Sequence, residues 1–366
     1  MSVSATRAAL PVLTSLRFFA AAEVVVYHQI ADHIENDFLR GLGSAGYEAV
    51  TFFFVLSGFI LTYVYTGRSE QDYLNVSARE FWKARIARIL PAYFLGLVLS
   101  LPRVAYYALI YKMIIIQPPI LGFVLVPILL QAWWPPAAMA WNSPAWSLSV
   151  ELFFYVSFPM LARAAGRLSR NYFIVLAYGL VVAVVVLRHA VSSPNSTFGT
   201  AAWNFDMFFP LFHLPQFIFG MALGRLYLFG PTVSPKIHMT MLCIGTLGLV
   251  LVFGGHSLLP SWTKTDATLV LLFGLVIFGG AQAEGTLKAL ACPALILLGE
   301  ASYSIYILHV PLGYWWSWIT RGLALPAIAS FGAYFALVIV ASILSYLYVE
   351  KPLRRRILGH CEHRAA

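Results

Sequence analysis

The chain alternates long apolar runs with short polar connections, and the length of the runs decides what they are. Stretches near 12 to 31, 46 to 66, 86 to 110, 145 to 162 and 172 to 188 are followed by others near 205 to 228, 238 to 256, 266 to 283, 293 to 317 and 326 to 349. Runs of about 17 to 25 residues are long enough to cross the hydrocarbon core of a bilayer as helix. A further run near 113 to 134 is broken by Pro118, Pro119 and Pro127, which a regular helix interior does not accommodate. The pattern predicts an all-α polytopic membrane protein with about ten transmembrane helices.

The basic residues orient this array. They cluster at Arg68 to Arg88, Arg163 to Arg170, Arg225 to Lys236, Lys288 and Lys351 to Arg356, and such connections face the cytoplasm by the positive-inside rule. With all of them inside, the chain must cross outward and return between Arg88 and Arg163, so the three apolar runs there cannot all be full spans. Taking 86 to 110 outward and 145 to 162 inward leaves 113 to 134 as a re-entrant or interfacial segment between the third and fourth helices, and puts both termini in the cytoplasm. The competing count makes 113 to 134 an ordinary span and places Arg163 to Arg170 outside.

Composition agrees. Hydrophobic residues make up 60% of the 366 and charged residues 11%, against about 25% charged in soluble proteins. No hydrophilic stretch is long enough to build a water-soluble core, so a single integral domain over 1–366 with no fused soluble domain is expected. The net charge of +9 lies in the short connections, where it reports orientation rather than nucleic-acid binding. Cys243, Cys292 and Cys361 are scattered, with neither a disulfide framework nor a metal-ligand spacing. The first run carries Arg17, Glu23 and His28, which the apolar core of a cleaved signal sequence would not tolerate, so it is a retained span. Trp133, Trp134, Trp141 and Trp146 fit an aromatic belt at the outer interface.

Ionisable groups at membrane depth are costly and mark functional sites by default. Arg17 and His28 are eleven residues apart, about 16 Å of helical rise with an offset of only about 20°, so they share a face, whereas Glu23 is turned about a third of a circle away. Glu151, in Trp146-Ser-Leu-Ser-Val-Glu151-Leu-Phe-Phe-Tyr155, enters from the outer side about seven residues after Pro144, about 10 Å deep. At that level it could meet His28. A carboxylate on one imidazole nitrogen would fix the tautomer and make the other nitrogen a general base; the plainer alternative is a His-Glu pair closing a helix contact. Arg85 and Arg88 sit one turn apart at a cytoplasmic boundary, suited to a phosphate clamp with Arg17 as a third prong, or equally to lipid headgroups.

His309, with Tyr303 and Tyr306, is a second ionisable group in a span and a possible supporting residue or a satisfied interior histidine. His213 and Asp206 could touch substrate, but a helix-kink or capping role suits them better. The Tyr348-Val-Glu350-Lys-Pro352 end fits a helix terminus sending its cations to the membrane surface. No HExxH, phosphate-loop or nucleophile-elbow pattern occurs in a suitable context.

The chain resembles the membrane acyltransferase family 3. The likeness rests on Leu16-Arg17-Phe-Phe-Ala-Ala followed by His28, Phe53-Phe-Val-Leu-Ser57-Gly58-Phe, Arg85-x-x-Arg88, Trp146 to Tyr155, Ser302-Tyr-Ser-Ile-Tyr306-Ile-Leu-His309 and Glu350-Lys-Pro352, in order over nearly the whole length. The resemblance implies ten helices, a cytoplasmic acyl-CoA site and acyl transfer to hydroxyls of sugars and related acceptors. It implies Arg17, His28, Arg85, Arg88 and Glu151 as the essential set, and beside it the residues themselves lead us to expect His28 and Glu151 as the catalytic pair, Arg17, Arg85 and Arg88 at acetyl-CoA, Ser147, Tyr155, Tyr306 and His309 as supporting residues, and no metal. Glu23 stands where a small or apolar residue is expected. The implied setting is the inner (plasma) membrane, with a carbohydrate or glycosylated acceptor and polysaccharide-assembly proteins as partners. Two rivals explain the buried charges differently: a proton-coupled transporter of an anionic or sugar-linked solute, with His28 and Glu151 as relay, and a scaffold for polysaccharide assembly.

Overall fold

The computed structural model describes residues 7–67, 69, 74–110, 119–191, 200–283 and 287–359, and among these all regular structure is helical. In chain order the helices are α1 (Pro11–Gln29), α2 (Asp37–Gly43), α3 (Ala49–Tyr65), α4 (Ala78–Ile110), α5 (Pro119–Leu125), α6 (Trp146–Gly166), α7 (Arg170–Val191) and α8 (Ala201–Phe208). They continue as α9 (Pro210–Phe229), α10 (Pro235–Gly254), α11 (Asp266–Ala281), α12 (Pro293–Glu300), α13 (Ser302–Ile319), α14 (Ala327–Ser345) and α15 (Lys351–Leu358).

Among the described residues six helical stretches are long and apolar enough to cross a membrane: α4, α6, α7, α8 with α9, α10, and α14 through α15. The pair α12 and α13, bent by 58°, makes a seventh if it is one span. α3 and α11 are apolar but shorter, at 17 and 16 residues, and α1 has 19 residues with Arg17, Glu23 and His28 among them. The expected segment near 113 to 134 falls partly outside the described residues, at 111–118. From Pro119 it is the short helix α5 and a chain of turns, with Leu129 at φ 58° and Trp141 at φ 65°, left-handed backbone that bulky residues rarely adopt.

One end of the bundle is basic. Arg7 donates to the carbonyls of Thr66 and Gly67 at 2.9 Å, Arg85 to Tyr65 Oη at 2.8 Å, Arg225 to the carbonyls of Ala165 and Leu168, and Arg170 to that of Phe229. These bonds gather the C-terminal ends of α3, α6 and α9, beside the start of α1, where Tyr63 Oη donates to Ala8 O at 2.9 Å. His28 on α1 and Trp146 on α6 therefore lie toward the opposite end.

Small residues set the closest approaches. A Cβ on Gly58 would collide with Phe217 O, and one on Gly220 with Val55 O. Gly220-Met-Ala-Leu-Gly224 has the small-xxx-small spacing that lets helix backbones touch, and α3 and α9 are seated together through it. Gly46 does the same at the entry to α3, where a Cβ would collide with Tyr27 Cβ. Between α14 and α15, Tyr346–Glu350 winds as a π-helix, a distortion that recurs at functional sites, and Glu350 ends up 3% exposed.

Candidate active site

A cavity opens among α1, α3, α4, α6 and α13, with about 910 Å³ of non-atom space including its mouth; Arg17, Ser57, Arg85, Arg88, Glu151, Tyr155, Tyr303 and Tyr306 are in its wall. Its polar centre is Glu151. Tyr155, one turn along α6, donates its hydroxyl to Glu151 Oε1 at 2.5 Å, and Ser57 Oγ on α3 lies 3.5 Å from the same oxygen. Arg17, Arg85 and Arg88 are within electrostatic reach of this carboxylate.

Each arginine is held differently. Arg85 donates to Tyr65 Oη and lies over the rings of Tyr65 and Tyr155, with its carbon 5.3 and 6.0 Å from the centroids. Arg88 sits 3.8 Å from Glu350 Oε2 and 6.0 Å from the Tyr303 centroid. Glu350 Oε1 accepts from Ser304 Oγ at 2.5 Å, and Ser304 in turn lies 2.7 Å from Ser345 Oγ. Arg17 is in the field of Glu151, Glu350 and Arg88. The wall holds three guanidiniums and one carboxylate, with Glu350 beside Arg88 behind it, in an environment where fixed charges act more strongly than in water. Such a site suits an anion with several acceptor oxygens.

Glu350 is a residue that sequence reasoning missed as part of the site. A helix terminus spreading cations over the membrane surface accounts for Arg354 to Arg356 but not for the carboxylate, which the π segment turns inward onto Ser304 and Arg88. The signal available was a lone carboxylate closing an apolar run.

His28 lies in the last turn of α1 and is exposed. Its Nδ1 is 2.9 Å from Val24 O and 3.4 Å from His309 Nε2. His309 is fully buried, with Nδ1 2.8 Å from Tyr306 O. The partners assign the tautomers: both histidines donate Nδ1–H to a backbone carbonyl, so His309 Nε2 turns a lone pair toward His28 and His28 Nε2 remains a proton acceptor. Tyr306, which lines the cavity, connects the two regions. Its hydroxyl is 2.7 Å from Ser147 Oγ and donates to Pro144 O at 3.0 Å.

The direct His28–Glu151 pair expected from the sequence is corrected here. Glu151 is held by Tyr155 and Ser57, and His28 by Val24 O and His309. Depth explains the separation. Tyr27, the neighbour of His28, packs on Gly46 at the entry to α3, whereas Ser57, the neighbour of Glu151, is about 12 Å further along that helix. Counting seven residues from Pro144 overstated how near the helix mouth Glu151 would lie; it reaches the level of Arg17 instead. Among the supporting residues, Tyr155 touches Glu151, His309 touches His28, and Ser147 and Tyr306 touch each other.

Asp206 and His213 have roles other than capping alone. The cap of α8 is Thr200, whose side chain accepts from Trp203 N, and Asp206 pairs with Arg188 at 2.7 Å. His213 Nε2 donates to Met207 O at 2.9 Å across the break between α8 and α9, a kink role as expected, and the residue also lines a second cavity. Among the described residues no group of three or more His, Cys, Asp or Glu side chains could hold a metal ion.

Comparison with known proteins gives this arrangement a context. A family profile described as "Acyltransferase domain" matches residues 11–349. The chain is 27% identical to the acyltransferase MdmB of Streptomyces mycarofaciens over 384 residues, covering 96% of this chain and 92% of that protein. It is 25% identical to the O-acetyltransferase OatA of Staphylococcus aureus over 374 residues, where it covers 95% of this chain but spans only 57% of OatA. With the exopolysaccharide production protein ExoZ of Rhizobium meliloti it shares 27% identity over 326 residues, 86% of this chain and 90% of ExoZ. No solved structure matches the chain.

Proposed function

The chain belongs to the acyltransferase family that matches it across residues 11–349, and we propose from that premise that it is a membrane O-acyltransferase moving acetyl or another short acyl group from acyl-CoA to a hydroxyl of a carbohydrate or glycosylated acceptor. The observation that carries the reading is the guanidinium cavity, with Arg17, Arg85 and Arg88 around the half-buried Glu151 at the basic end of the bundle. OatA and ExoZ, named for O-acetyl transfer and exopolysaccharide production, support a carbohydrate acceptor.

In this proposal the basic end faces the cytoplasm of an inner (plasma) membrane, as the positive-inside rule requires. α1, α3 and α11 join the longer spans to make ten traverses with both termini cytoplasmic. α1 is less apolar than the other traverses because it carries Arg17 and His28. Arg85 and Arg88 receive the phosphates of CoA, and Arg17 lies deeper along the path. From Arg17 to His28 is about 16 Å along α1, a distance for the extended arm of the cofactor to cover. His28 Nε2 takes the proton of the acceptor hydroxyl, the oxygen attacks the thioester carbonyl, and CoA leaves as the thiol after the proton returns. The imidazolium formed in between is stabilised through its Nδ1–H by Val24 O and by His309. Glu151 serves the other end of the path, balancing the guanidiniums and fixing Tyr155.

Purified protein in lipid, given radiolabelled acetyl-CoA and candidate glycans, tests this. Label transfer that disappears in His28→Ala is the expected result; proton-coupled solute uptake with no label transfer would show a transporter instead.

A further inference from the structure

We infer that a second cavity, separated from the first by Val50 and Phe54, is the chamber for the acceptor, and that it selects a neutral or amino sugar over an acidic one. This rests on the acyltransferase reading and adds to it where the acceptor sits and what charge it carries. Val50 and Phe54 line both cavities, while Trp146 and its neighbour Ser147 face the second and the first respectively. The two spaces therefore share a wall. The second encloses about 860 Å³ of non-atom space, open mouth included.

Its lining has the chemistry of a sugar site. Tyr47 and Trp146 are stacked, with centroids 6.2 Å apart and planes at 20°, and His213 lies 5.3 Å from the Trp146 ring. Beside these rings Glu48 Oε2 is a buried acceptor without a hydrogen-bond partner, while the ring of His213, a residue only 4% exposed, has the Gln216 side chain beside it. Leaving such an acceptor unmet is costly, and hydroxyl groups supply the donors.

Charge decides among sugars. The cations of the lining are Arg188 and Lys264, and the anions are Glu48, Asp206 and Asp266, one formal negative in excess. Arg188 is already committed. It contacts Asp206 through Nε and Nη2 at 2.7 and 3.0 Å and Asp266 through Nη1 at 2.8 Å, so two carboxylates offset its charge. Lys264 is in the field of Glu48. An uncharged ring or an ammonium meets this lining without repulsion, whereas a uronate does not.

A chain of contacts links the chamber wall to the reacting histidine, which is not itself in the lining. Tyr47 and Glu48 follow Gly46 directly, and Gly46 is where α1 leans on the chain through Tyr27, whose ring is edge-on to His28 at 4.9 Å.

Saturation-transfer NMR on the full chain in nanodiscs tests the inference with methyl β-D-glucopyranoside, methyl β-D-glucosaminide and methyl β-D-glucuronide as probes, alongside acetyl-CoA binding measured separately. The first two glycosides are expected to bind and the glucuronide about tenfold more weakly, and Glu48→Ala and His213→Phe to weaken glycoside binding about tenfold, the worth of one hydrogen bond. Arg85→Ala should leave glycoside binding unchanged. Glu48→Ala removes an unpartnered group and keeps the test valid if His213→Phe does not fold. Equal binding of the glucuronide, wild-type affinity in both variants, or no glycoside binding by protein that binds acetyl-CoA would each overturn the chamber. Glycoside binding with these sensitivities but no acetyl-CoA binding would uphold the chamber and sink the donor reading.

Discussion

Removing the imidazole at position 28 and the guanidinium at position 85 should damage different kinetic constants. His28 is outside the lining of the guanidinium cavity, so His28→Ala is expected to lower kcat by about 10² to 10⁴, the range for a positioned general base, with KM for acetyl-CoA unchanged within about twofold. Arg85→Ala removes a charge-assisted partner worth about 1.5 to 3 kcal/mol, which raises KM for acetyl-CoA by about 10- to 150-fold. The two sites are far apart: His28 adjoins the entry to α3, whereas Arg85 bonds Tyr65 at its final residue, and the 17 residues between amount to roughly 25 Å. At that distance effects add to within about 0.5 kcal/mol. Initial rates of labelled acetyl transfer, varied in acetyl-CoA at saturating acceptor, give both constants for the two single variants and the double. A rise in KM for acetyl-CoA in His28→Ala, or a coupling energy above about 1 kcal/mol, would refute the separation of donor clamp and base.

Four further outcomes follow from the packing. Tyr155→Phe removes the donor to Glu151 and should lower stability by about 1.5 to 3 kcal/mol, seen as a lower melting temperature in detergent. Glu350→Gln strips Arg88 of its buried counter-charge and should cost about 3 kcal/mol or more, with Glu350→Asp intermediate in the same melt. Gly220→Val forces α3 and α9 apart and should cost about 1 to 3 kcal/mol, detected as loss of monodisperse protein on gel filtration. Gly46→Ala displaces Tyr27 and with it the His28 turn, so kcat should fall while KM for acetyl-CoA holds; a wild-type kcat would show that this contact does not position the base.

Much of the helical pattern was legible because about 20 apolar residues in a row have few alternatives. The runs containing α4, α6, α7, α9, α10 and α14 all became helices of spanning length. α1 was legible as a span only by its placement, since the charged residues that suit it to chemistry also dilute its hydropathy. The arginines Arg85 and Arg88 stood out by their one-turn spacing, and they do face one cavity with Glu151. What the one-dimensional pattern lacked was depth. Whether Glu151 meets His28 or Arg17 depends on how far α6 slides along α3, and that offset comes from contacts between helices rather than from any local run. Glu350 was hidden for a related reason: regular helical periodicity places it by extrapolation, and the chain departs from that periodicity just before it.

That departure has a mechanical consequence. A regular helix advances about 100° per residue, so the wider winding of Tyr346–Glu350 acts as a phase shift between everything before it and everything after. Shortening this segment by one residue would rewind it, rotate the carboxylate away from Ser304 and Arg88 toward the acyl chains of the bilayer, and alter the orientation of the cationic tip on α15. The wide turn works as a gear between the last span and the arginine on α4, and its tooth is Glu350.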